Sequence, residues 1–179
     1  MGGHLTIKPT SEIDYLKFNT ELLKAASSAT TATAPKQLPA VAQDLEHDIA
    51  NFKTLDSIAN EGLVDDLLNQ RIYTSTFKIE DDALIANLIE KLMRIENRYL
   101  DKTLRTLAET LAHELDALLI HVRQTFWRVG GKEEWLKFRP DPIDPKVRDK
   151  EWKELCDKID SAWTAYKSYR TAIKETLRV

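Results

Sequence analysis

Residues 80–128 read EDDALIANLIEKLMRIENRYLDKTLRTLAETLAHELDALLIHVRQTFWR, a stretch with neither glycine nor proline. Leu84, Leu88, Leu92, Ile95 and Tyr99 step along it by three or four, and Leu104, Leu107, Leu111, Leu115, Leu118, Val122 and Phe126 continue the stripe. That spacing gathers apolar side chains on one face of a helix. Glu80, Asp81 and Asp82 at its start and Arg123 and Arg128 at its end suit the two poles of a helix dipole. One unbroken helix here would be about 70 Å long at ~1.5 Å per residue. A compact globule of this chain length has a radius of gyration of only about 16 Å, so the helix must protrude, pair with a second copy, or break.

Working outward, residues 63–70 suit a short helix. The run Ile72-Tyr73-Thr74-Ser75-Thr76-Phe77 is β-prone but has no second such run to pair with, so it reads as an extended connector. Upstream, Leu38, Val41, Leu45, Ile49, Phe52, Leu55 and Ile58 form another helical stripe, which Asn60 and Gly62 would end. Residues 27–33 hold only Ser, Thr and Ala, and Pro35 and Pro39 follow. This is a linker that sets apart a first helix capped by Thr10 or Ser11. Downstream, Gly130 and Gly131 stop the long helix, and Pro140, Pro142 and Pro145 stiffen the connector that follows. Trp152, Leu155, Ile159, Ala162, Tyr166, Tyr169 and Ile173 then make a heptad seam on a last helix. The expectation is an all-α protein, an elongated bundle of about four to five amphipathic helices with one long central helix and a heptad-patterned C-terminal helix. Residues 1–36 would be an N-terminal helix and linker, and residues 37–179 the bundle.

Composition narrows the function classes. Of 179 residues, 42% are hydrophobic and 31% charged, enough for one sizeable core. The net charge of −3 arises from interspersed acids and bases, which argues against a nucleic-acid partner. The single Cys156 allows no internal disulfide, and no apolar run approaches a membrane span, so the chain reads as cytoplasmic. Met1, Gly2 and Thr6 fit the pattern for myristoylation of Gly2, the one route by which a membrane would become a partner. A single acyl chain gives only marginal attachment without a second signal.

No catalytic, cofactor or metal motif is legible. Asp44 and His47 make the one acidic-x-x-His pair, too little for the ligand set of a di-metal bundle. His113 and His121 would lie about 12 Å apart along one helix, too far to share an ion. Arg105 with His113 is the nearest approach to the Arg/His pair of a metal-independent hydrolase or nuclease, but the gap is too long for that motif, and i,i+4 neighbours on an exposed polar stripe explain Arg105, Glu109 and His113 better. Neither a catalytic residue nor a cofactor is therefore assigned. The four tryptophans, Trp127, Trp135, Trp152 and Trp163, all fall in the last third and are expected to fill the joint between the last two helices. Trp135, Phe138 and Arg139 form the alternative: an aromatic and basic anchor for another protein, on a loop stiffened by prolines. The functional expectation is a non-enzymatic helical interaction module of the adaptor, regulatory-subunit or effector kind. The long helix and the heptad seam add the expectation of a homo-oligomer.

Overall fold

The long stretch breaks. The computed structural model describes residues 40–74, 76–130, 132–139 and 144–179. Within residues 80–128 it places two helices joined by an elbow, α3 (Ile79–Met93) and α4 (Lys102–Thr125). They are preceded by α1 (Ala40–Ile58) and α2 (Glu61–Asp66), and followed by two strands, β1 (Phe126–Val129) and β2 (Lys132–Phe138), and α5 (Pro145–Leu177). The protein is all-α, a bundle of five helices among the described residues. Its longest helix is α5, not the central one. Gly2, the helix expected before the linker, the linker itself and Pro140 and Pro142 lie outside the described residues.

Side chains, not a glycine or proline, make the elbow. Arg94 leaves helical geometry at φ −68° and ψ 135°, and Ile95–Asn97 form a single 3-10 turn. From α1, the buried carboxylate of Asp48 accepts the backbone N–H groups of Leu100 (2.7 Å) and Asp101 (2.9 Å). Asp101 then caps α4 by accepting the Leu104 N–H at 2.8 Å. Arg105 reaches back to donate to the carbonyls of Tyr99 (2.9 Å) and Leu100 (3.3 Å). The turn thus finds partners for backbone groups that a continuous helix would have paired internally.

Breaking the helix lets its two ends meet. Asp82 in the first turn of α3 takes a two-pronged ion pair from Arg123 in the last turn of α4, at 2.8 and 2.9 Å. The acidic and basic ends expected to suit one dipole instead bridge two antiparallel helices. α5 runs back along α4, so that Tyr169 meets Tyr99 near one end and Glu151 meets His121 near the other. Leu155, Ile159, Ala162, Tyr166, Tyr169 and Ile173 are all buried, while Trp152 is half-buried. This heptad seam is covered within the chain. α1 packs across α3 and α5, with Phe52 beneath the Arg170 guanidinium at 4.9 Å and Asp56 accepting from Arg170 at 2.5 Å.

Asn60 caps the start of α2, accepting the Leu63 N–H at 3.0 Å, whereas the sequence suggested the end of the preceding helix. A π-helical turn, Leu67–Arg71, continues α2 and buries Leu67 and Leu68. Arg71 then joins Asp66 (2.7 Å) to the buried Asp81 (2.6 Å), which also accepts the Lys78 N–H at the head of α3. The β-prone run ends beside β2. Leu136 donates its N–H to the Phe77 carbonyl at 2.8 Å, and Lys78 forms an isolated bridge with Trp135.

Candidate functional site

Residues 126–138, read from sequence as a helix end and an irregular tail, form an antiparallel hairpin. Phe126 pairs with Phe138, Trp127 with Lys137 and Arg128 with Leu136, and a register shift follows Arg128. Period-2 alternation sends the two rows of side chains to opposite faces. On the inner face Phe126 is buried, and Leu136 and Phe138 pack against the core. Phe77, Phe126, Phe138, Trp152 and Tyr73 follow one another edge-to-face, with ring centroids 5.9, 5.8, 5.0 and 6.3 Å apart. This ladder roots the hairpin in the joint between α4 and α5.

The outer face carries the other row. Trp127 is 62% exposed, and its cross-strand partner Lys137 is also exposed. Trp135, two residues from Lys137 on β2, is half-buried, with the Lys78 ammonium 5.0 Å from its ring centroid. Arg139 lies just beyond the strand, exposed, with its backbone N–H held by the Thr125 carbonyl at 2.7 Å. Among the described residues no acidic side chain pairs with Arg128, Lys137 or Arg139, whereas Lys78 pairs with Glu80 at 3.0 Å. β2 carries two acids, Glu133 and the exposed Glu134.

The structure thus separates the three expected anchors. Trp135 and Arg139 reach the surface, while Phe138 turns inward onto Trp152. Trp127, expected in the core, joins the outer face instead. The cause is a shift of helix end: α4 stops at Thr125, and the strand that begins there turns Phe126 in and Trp127 out. Its sequence signal was Gly130-Gly131 between two aromatic, β-prone runs, the punctuation of a tight hairpin.

The other candidates take structural places. Arg105 is engaged with two elbow carbonyls, and His113 is exposed two turns further along α4. His47 sits with its Nε2 3.2 Å from the Arg98 carbonyl, at the elbow, while Asp44 is exposed. Burial, followed by the carboxylates of Asp160 and Asp157, pushes the Cys156 thiol up, away from nucleophile chemistry. Among the described residues, no helix is long and apolar enough to cross a membrane. No protein family, curated protein or solved structure matches the chain.

Proposed function

We propose that this chain is a non-enzymatic protein-binding module that presents the outer face of the β1–β2 hairpin to a partner of acidic character. The observation that carries the reading is Trp127, a large ring 62% exposed beside Lys137 on a strand whose opposite face is anchored by the aromatic ladder. Rigidly held tryptophans concentrate binding energy because little side-chain freedom is lost on docking. Lys137 and Arg139 beside it favour an acidic surface and would speed encounter with one. Phe138 supports this face from within.

The two features that motivated self-association no longer do so, since the long helix is broken and the heptad seam is covered by the chain's own helices. A homo-oligomer is therefore not part of the proposal. The test is a photo-crosslinking residue at position 127, compared with the same residue at exposed Glu175. A discrete partner should be captured from position 127 alone and be lost when Lys137 and Arg139 are both changed to glutamate. Identical capture from both positions, or capture indifferent to the charge reversal, overturns the reading.

A further inference from the structure

His121 lies in the last turn of α4 and is buried, 4% exposed, although histidine is a polar ring. Its Nε2 is 3.2 Å from the main-chain carbonyl oxygen of Glu151 on α5. A carbonyl can only accept, so Nε2 carries a proton and donates it, and in the neutral ring Nδ1 holds the lone pair. That lone pair faces Glu154 Oε1 at 3.9 Å, beyond hydrogen-bond reach, and among the described residues no donor reaches Nδ1. The Glu151 carboxylate closes the other side, with Oε2 3.9 Å from Nε2. One ligand atom from each of the three residues can be chosen so that all lie within 4.8 Å of one another.

From this arrangement we infer a binding site for a divalent transition-metal ion of the zinc class, with His121 Nδ1 and the carboxylates of Glu151 and Glu154 as protein ligands. The imidazole of a buried histidine and two carboxylates turned toward it form an electron-rich nest that a cation would neutralise. Imidazole and carboxylate together suit Zn²⁺ better than Mg²⁺ or Ca²⁺, which favour oxygen alone. The Nε2–H donated to a main-chain carbonyl is the supporting contact that fixes the ring of a metal-bound histidine. Tetrahedral ligands at about 2.0–2.1 Å from zinc stand about 3.3 Å apart, so Glu154 must close in on Nδ1 and Glu151, whose Oε2 lies on the Nε2 side, must swing round the ring, each by rotating its side chain. Both have that freedom at the surface, with 28% and 47% of their side chains exposed. Lys158 Nζ, 3.8 Å from Glu154 Oε1, is the charge that the metal displaces.

The site joins the end of α4 to the second and third turns of α5, on either side of Trp152, whose ring meets Phe138. A bound ion would lock the base of the hairpin; the inference does not depend on what the hairpin binds. The full chain, freed of metal with a chelator, is titrated with Zn²⁺ and with Co²⁺, whose visible absorption reports a tetrahedral nitrogen and oxygen ligand set. One equivalent should bind and raise the melting temperature. Glu151→Gln and Glu154→Gln should each weaken binding by ~10-fold or more while leaving the metal-free melting temperature nearly unchanged, and Lys158→Ala should strengthen it. The glutamates are chosen because His121 variants could fail to fold. Absence of stoichiometric binding, or equal affinity in the Glu151→Gln/Glu154→Gln double variant, overturns the inference. The first result would leave the three side chains as ordinary polar neighbours, and the second would place the metal elsewhere on the chain.

Discussion

The elbow leading into α4 is held by a buried carboxylate that gathers backbone N–H groups, whereas the hairpin leading out of α4 is held by a ladder of rings. Asp48 reaches the elbow from α1, so that turn depends on a partner far off in the sequence. The hairpin has one equally distant partner, Phe77, but its other rings, Phe126, Phe138 and Trp152, lie within one short stretch of sequence. The elbow also leaves apolar side chains in the open, with Ile95 87% and Met93 61% exposed. A helix can therefore be ended either by satisfying its backbone from outside or by making the alternative strand more apolar than a further helical turn.

This contrast can be broken by substitution. Phe126→Ala, which removes the more buried of the two ladder rings that the hairpin itself supplies, should cost about 3–5 kcal/mol in denaturant unfolding. A cost below that of Asp48→Ala would reverse the ranking of the two connections. The next effect is on the tyrosines that fasten the elbow to α5. Burial pushes Tyr99 up to about 12 and raises Tyr169 further, and the two hydroxyls share a 2.6 Å hydrogen bond. Their folded values lie above the unfolded value near 10, so the stabilisation is complete below pH 10 and is lost as pH climbs toward 12. For Tyr99 the loss is about 3 kcal/mol at the top of that range. Phenolate absorbance should lag that of free tyrosine and rise together with loss of helical circular dichroism. Four or more of the five phenols titrating freely near pH 10 in a folded chain would refute this.

Asp48→Ala should cost about 2–3 kcal/mol, because it leaves two part-buried backbone donors without their acceptor. Hydrogen exchange should quicken first at the Leu100 and Asp101 amides, while Asp48→Asn, which keeps one acceptor oxygen, should lose less. Trp135→Ala should cost about 1 kcal/mol, for a half-covered ring with one cation contact. Trp127→Ala should stay within about 0.5 kcal/mol by thermal melting. A large loss at Trp127 would mean that the outer face is core, and would remove the hairpin from consideration as a docking surface.

Much of this was legible in residue order. The apolar stripes fell on α1, on α3 and α4 read as one stretch, and on α5, where Trp152 to Ile173 marked the buried side. The elbow left a trace as well: from Tyr99 to Leu104 the stripe steps by five, not three or four, just where Asp101 offers an N-cap. The agent that fixes it was not legible, because Asp48 lies 52 and 53 residues from the amides it binds. The same holds for the candidate metal nest. His121 looked solitary because its companions are 30 and 33 residues away, brought alongside only when α5 folds back along α4. The hairpin was missed for a local reason, since Gly130-Gly131 stops a helix as readily as it turns a strand.

The tip of the hairpin has a practical use. Gly130 is exposed, and among the described residues a Cβ built on it would meet nothing within 4 Å. Surface loop tips of this kind tolerate grafts. A fluorophore or short epitope placed there would stand at the far end of the strands from Phe126 and Phe138, leaving the ladder undisturbed. The protein thus carries its own mounting point for a reporter, adjacent to the surface whose occupancy one would want to watch.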